Sequence, residues 1–131
     1  MSGNLGSNSV NKKLLRHAAH YFKEHKTINL KDYSIPLYDS DLEMNSGIPE
    51  GALRLGTEIQ TSDAIVISSP EYNYSMCGVL KNAIDWVSRI RPNMPITKKP
   101  ILLMSASPSS FGGIRGLLQT RGLGDVYKRQ V

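Results

Sequence analysis

Residues 68–89 read SSPEYNYSMCGVLKNAIDWVSR, and they continue the short apolar run DAIVIS at 63–68. That run is β-branched and carries no charge after Asp63, the pattern of a strand covered on both faces in a parallel sheet. Ser69-Pro70 ends it, because proline cannot continue a central ladder. A polar, aromatic loop follows. Gly78 then opens a segment in which Leu80, Ala83, Ile84 and Val87 make one apolar face at helical spacing. The order is buried strand, exposed loop, helix. In open α/β sheets such a loop lies at the carboxyl ends of the strands, where ligands bind.

Pro70-Glu71-Tyr72-Asn73, followed by Gly78-Val79-Leu80-Lys81-Asn82-Ala83-Ile84-Asp85-Trp86, resembles the signature of the NAD(P)H-dependent FMN reductases. These are flavodoxin-like enzymes related to azo- and quinone-reducing flavoproteins. The resemblance implies that the backbone from Pro70 to Asn73, Glu71 included, wraps the polar edge of the isoalloxazine, with Tyr72 and Asn73 against or beside the ring. The residue types suit that task. A flavin offers carbonyl and N–H groups at one edge and a large apolar face, and so asks for backbone donors and acceptors beside an aromatic wall. For a lone tyrosine, an ordinary strand-to-helix turn would be the better reading. The whole string in its strand–turn–helix setting favours the flavin.

Upstream, MSGNLGSNSVN at 1–11 is rich in Gly, Ser and Asn, and Leu14, Leu15, Ala18, Ala19 and Phe22 then predict an amphipathic helix to about His25. Ser9 and Asn11 are both good N-cap types. A Gly/Ser loop entering a helix presents free N–H groups and partial positive charge, suited to phosphate. The family resemblance extends to this loop: Ser9-Val10-Asn11 matches its second half, and Gly3 its first, with Asn4 and Gly6 departing from the usual serine and arginine. It implies that Gly3, Ser9 and Asn11 bind the FMN phosphate. Plain helix capping by Ser9 and Asn11 is the competing reading, and the two are compatible.

Ile28 and Leu30 alternate with polar neighbours, as in a short strand. Asp39, Asp41 and Glu43 read as a solvated acidic loop and not as a metal site, since no histidine stands at ligand spacing. Pro49 fits the first position of a covering helix from about Glu50 to Ser62. Downstream, Ile101–Met104 reads as a second buried strand, ending in SASPSSFGG at 105–113 and the start of another helix. The resemblance places Ser105, Gly112 and Gly113 near the flavin and the pyridine nucleotide. A structural turn accounts for these three nearly as well.

The chain has 131 residues, enough for one domain, and 40% of them are hydrophobic. No apolar run approaches the roughly 20 residues that span a bilayer, and the lone Cys77 cannot form an internal disulfide. A reducing cytoplasm is the natural setting. Sixteen Lys and Arg against eleven Asp and Glu leave a net charge of +5. The basic residues are scattered in small groups, so anionic small ligands account for them better than nucleic acid does. Cys77 has no second cysteine or activating group near it in sequence and reads as a small packed side chain.

Taken together, the resemblance implies an α/β fold, a flavodoxin-like three-layer doubly wound parallel sheet over residues 1–120. Family members have an apolar first strand before Gly3 and a further strand and helix at the end. This chain is expected to lack both, with residues 121–131 a frayed tail outside the family pattern. A sheet without its central strand leaves backbone groups unpaired. The expectation is therefore weak stability, or direct pairing of the second and third strands. The implied activity is hydride transfer from NADPH or NADH to bound FMN and on to a flavin, quinone, azo compound or metal ion. No acid–base dyad is required for it. A flavodoxin-like electron carrier and a fragment without cofactor binding are the alternatives. Family members usually form homodimers or homotetramers. Val79 and Trp86, off the main apolar face of their helix, could meet a partner subunit or a neighbouring loop.

Overall fold

The structure, a computed structural model, describes the backbone of residues 1–128 and the side chains of residues 1–122. Its centre is β1 (Ile65–Ser68), the expected buried run. β1 pairs in parallel with β4 (Ile101–Met104), in the register Ile65 to Ile101 through Ser68 to Met104. Side chains alternate across the sheet. Ile65 and Ile67 join the core with Leu55 and Ile59 of α3 (Glu50–Thr61) and Leu80, Ala83, Ile84 and Val87 of α4 (Gly78–Val87). On the opposite face Ser68 meets Asn11 of α1 (Val10–Ala19). Helices on both sides of a parallel sheet make the three layers that the α/β reading requires.

The first two residues correct one expectation. Ser2 forms parallel bridges to Asn29 on one side and to Ser68 on the other. Its N–H donates to Ile28 O (3.3 Å), Gly3 N–H donates to Ser68 O (3.0 Å), and Ser68 N–H donates to Met1 O (3.1 Å). The Met1 α-amino group adds a bond to Val66 O at 2.6 Å. The second and third strands therefore do not pair directly. Ser2 holds the position between Asn29 and β1, so the order across the sheet is Asn29, Ser2, β1, β4. The predicted strand around Ile28 is reduced to the bridge at Asn29, after which Leu30–Tyr33 turns as a short 3-10 helix. Burial lowers the pKa of the Met1 ammonium to about 6.

Several boundaries differ from the sequence reading. α1 stops at Ala19 and not near His25, since the helix closes on His20 with the N–H groups of His20 and Tyr21 turned back to His17 and Ala18. Pro49 is the N-cap of α3 and not its first helical residue. The acidic loop is the short helix α2 (Ser40–Ser46), whose Asp39 side chain accepts from Asp41 N–H at 2.8 Å. β4 is only partly covered, with Leu102 51% exposed, because it is the edge of the sheet among the described residues. α5 (Ile114–Lys128) continues past Arg121 as helix, so the expected fraying is not seen up to Lys128; residues 129–131 of the predicted tail lie outside the described residues.

Trp86 is fully buried within the chain. Its Nε1–H donates to Pro36 O at 2.9 Å, and its ring meets Tyr38 edge-on at 5.1 Å. Of the two readings for this residue, burial under a neighbouring loop is the observed one. No helix among the described residues is long and apolar enough to cross a membrane.

Candidate functional site

Three loops converge at the carboxyl ends of β1 and β4. The first, residues 3–9, leads into α1. The second leaves β1 at Ser69-Pro70 and forms a small antiparallel hairpin, β2 (Glu71–Tyr72) with β3 (Ser75–Met76). The third, residues 105–113, links β4 to α5.

Gly3 fastens the first loop to the second. Its N–H bonds to Ser68 O, and Cys77 Sγ donates to Gly3 O at 2.7 Å. A Cβ at position 3 would stand 2.7 Å from Cys77 Sγ and 2.8 Å from Ser69 Oγ, so the close approach requires glycine. Cys77 is buried, as the packed-side-chain reading anticipates. Asn4 adds the next tie: its Nδ2 donates to Tyr72 OH at 2.7 Å, while its Oδ1 accepts Gly6 N–H at 2.7 Å. Ser9 is the N-cap of α1, accepting Lys12 N–H at 3.3 Å. The first turn of α1 has no acidic residue, and Lys12 Nζ reaches back to Leu5 O at 3.2 Å. The loop mouth is therefore electropositive.

Asn11 is arranged differently from the phosphate-facing residue that the sequence implies. It is buried, and its Oδ1 accepts from Ser68 Oγ (3.1 Å) and Ala106 N–H (3.0 Å) while Nδ2 donates to Ala106 O (2.9 Å). The amide thus ties α1 to β1 and to the third loop. Its role is to hold the frame, with the side chain turned inward.

The hairpin turn is strained in a defined way. Asn73 and Tyr74 both lie in the left-handed region, with φ of 50° and 62°. Two successive left-handed residues are the pattern of a two-residue primed turn, at roughly 1–2 kcal/mol for Tyr74 and less for Asn73, a residue type that tolerates this region. Tyr72 and Tyr74 stand 52% and 69% exposed on the hairpin. Phe111 of the third loop is also exposed, and the Arg115 guanidinium lies over both the Tyr74 ring (4.3 Å) and the Phe111 ring (4.5 Å). Glu71 points its carboxylate at α5, where Oε2 accepts Arg115 N–H at 2.9 Å and Gly116 N–H at 3.2 Å.

In the third loop, Gly112 and Gly113 have φ of 56° and 84°. A Cβ on Gly113 would lie 2.1 Å from Ser105 Oγ. Ser105 Oγ itself is buried without a hydrogen-bond partner among the described residues. A buried hydroxyl without a partner is a costly arrangement, and a ligand group at this site would relieve it.

These features fit FMN: an electropositive helix entrance for a phosphate, a tyrosine-bearing turn for the ring, and an unpartnered hydroxyl between them and α5. Two clefts elsewhere take no residue from the three loops. One, about 580 Å³, lies by Met1, Leu15, Ile28 and Ile65 at the opposite end of β1. The other, about 440 Å³, lies by Asn29, Asp32 and Arg54. Among the described residues no group of three or more His, Cys, Asp or Glu could hold a metal ion.

Of the residues singled out in the sequence, Gly3, Ser9, Pro70, Glu71, Tyr72, Asn73, Ser105, Gly112 and Gly113 all stand on the three converging loops. The sequence does not mark Asn4, Tyr74, Phe111, Arg115 or Gln119 as site residues. Asn4 was legible only as a departure from the family's serine. The others owe their place to the docking of α5 on the hairpin, which leaves no local sequence pattern.

The family model described as NADPH-dependent FMN reductase matches residues 1–131. An NAD(P)H-dependent FMN reductase of Pseudomonas aeruginosa is 42% identical over 131 residues, covering 97% of this chain and 70% of that protein. A quinone reductase of Escherichia coli K12 is 47% identical over 81 residues, which are 62% of this chain and 43% of the relative. Among solved structures, FerB, a flavoenzyme NAD(P)H:(acceptor) oxidoreductase of Paracoccus denitrificans, superposes with a TM-score of 0.85 at 30% identity. That match covers 97% of this chain and 69% of FerB.

Proposed function

This chain belongs to the NADPH-dependent FMN reductase family, and from that premise we propose that its three converging loops bind FMN for electron transfer from NAD(P)H to a small acceptor. When bound, FMN supplies the redox chemistry, taking electrons from the pyridine nucleotide and delivering them to the acceptor. The protein's part is to bind, orient and shield. The first turn of α1, with Ser9 at its cap and Gly3 at the loop base, receives the phosphate. The turn at Tyr72–Asn73 lines the ring, and Ser105 Oγ offers it a hydrogen bond. Asn11 ties α1 to the end of β1 and to the third loop.

The observation that carries this reading is the bond from Asn4 Nδ2 to Tyr72 OH, which draws the phosphate-type loop and the aromatic turn into one surface. The exposed rings of Tyr72, Tyr74 and Phe111 are flat apolar walls suited to a planar acceptor such as a quinone or a free flavin. Relatives named as quinone reductases and as FMN reductases support the same classes. A cytoplasmic setting and a homo-oligomer complete the proposal. The direct test is anaerobic: protein loaded with FMN should lose its yellow absorbance on addition of NADPH and regain it on addition of a quinone. Persistent colour under NADPH would reduce the reading to flavin binding without the pyridine nucleotide step.

A further inference from the structure

We propose, on the flavin reading above, that Glu71 is a positioning residue: its carboxylate caps α5 and thereby holds the Tyr72–Asn73 turn in the shape that receives the isoalloxazine. The sequence reading put Glu71 in the ring-binding backbone. In the structure its side chain is 12% exposed and engaged with the start of α5. Oε2 accepts the N–H groups of Arg115 and Gly116, and Oε1 faces the Arg115 guanidinium at 3.4 Å. N–H groups in a first helical turn have no partner within the helix, and the positive helix end favours a carboxylate. A charged acceptor shared by two such donors is a strong tie.

The contact is close as well as polar. A Cβ on Gly116 would stand 3.4 Å from Ser75 O and 3.5 Å from Glu71 Cβ, so the helix lies directly against the hairpin. One turn further along α5, Gln119 Oε1 accepts Ser75 Oγ at 2.6 Å and Met76 N–H at 3.1 Å. Both strands of the hairpin are therefore fastened to one face of α5. The left-handed pair Asn73 and Tyr74 forms the connection between them. Such a conformation persists only where its surroundings over-determine it. Glu71 and Gln119 supply that constraint. Because α5 begins where the Ser105–Gly113 loop ends, Glu71 also sets the spacing between the two loops on either side of the proposed ring site.

The test measures flavin binding by fluorescence quenching with FMN and with riboflavin, which has the ring and lacks the phosphate. It uses the 131-residue chain and its Glu71→Ala, Glu71→Gln and Gln119→Ala variants. Glu71→Ala is expected to weaken both flavins about tenfold or more, while Glu71→Gln, whose amide oxygen still accepts the two backbone N–H groups, weakens them about threefold. In ligand-free protein, Glu71→Ala should speed hydrogen exchange at the Arg115 and Gly116 amides about tenfold. If Glu71→Ala fails to fold, Gln119→Ala takes its place, with an expected loss of about threefold for both flavins.

Binding of both flavins by Glu71→Ala, or by Gln119→Ala in its stead, as tightly as by the parent would overturn the proposal. So would a loss confined to FMN, or a Gln variant as weak as the Ala variant. A parent chain that binds neither flavin overturns the flavin reading and the positioning role together. That outcome is distinct from a parent that binds both while the variants bind equally well.

Discussion

The side-chain amide of Asn4 donates to the hydroxyl of Tyr72 across 2.7 Å and 68 positions of sequence. One residue stands in the loop before α1 and the other in the hairpin after β1, so a single hydrogen bond joins the two halves of the proposed flavin surface. Removing it with Tyr72→Phe keeps the ring and deletes the hydroxyl. A neutral hydrogen bond contributes about 1 kcal/mol, equivalent to roughly fivefold in affinity. Tyr72→Phe should weaken FMN by up to that factor and lower the melting temperature by a few degrees, since the bond is already made in the ligand-free fold. Quenching titration and thermal unfolding, run side by side, check it.

Asn11 behaves as a buried tie, so its removal should register in stability before it registers in binding. Asn11→Ala leaves Ser68 Oγ and both backbone groups of Ala106 without their partner. Unpaired buried polar groups cost on the order of 1–3 kcal/mol each, partly relieved here by water at the loop surface. We expect a loss of about 2–4 kcal/mol in urea unfolding. Asn11→Asp should not restore it, because a carboxylate cannot donate to Ala106 O.

Gly3→Ala tests the close approach of the first two loops. The new Cβ would fall within 3 Å of Cys77 Sγ and Ser69 Oγ. Overpacking of this kind costs typically about 1–3 kcal/mol. Adding Cys77→Ala removes the nearest obstacle, so the double variant should lose less than the two single losses combined. Additive losses in the melting curves would contradict the contact.

The Met1 ammonium of this chain gives a pH signature. Burial lowers its pKa from 8.0 to about 6. Between these values the unfolded chain binds more protons than the folded one, so stability rises as pH climbs from 6 to 8. Below pH 6 both states are protonated and the burial penalty, on the order of 2–3 kcal/mol, is fully present. Above pH 8 it is gone. Acetylating the α-amino group should flatten this part of the stability profile, which denaturant midpoints at pH 6 and pH 8 would reveal.

Much of this architecture was legible because it is written locally. A charge-free β-branched run, a proline stop and an apolar helical face mark β1, its loop and α4, and the same logic finds α3 and β4. What escaped depends on partners distant in sequence. Two residues, Met1 and Ser2, show no periodicity, yet they complete the sheet because Asn29 and Ser68 flank them. The seven-residue α2 is too short for an apolar face and rests on a cap at Asp39. The motif implies a role for the Glu71 backbone at the ring edge and for Asn11 at the phosphate, and it carries no information on where their side chains pack. The Glu71 side chain meets α5 and that of Asn11 meets β1 and the third loop, contacts that only the packing of those elements decides.

The most direct test of the central claim, that these three loops form a flavin site, is titration of FMN with the purified 131-residue chain while following flavin fluorescence. We predict saturable quenching that ends at one FMN per chain, with riboflavin bound more weakly for want of the phosphate. Flavin fluorescence that stays at the free level with protein in excess would contradict the account.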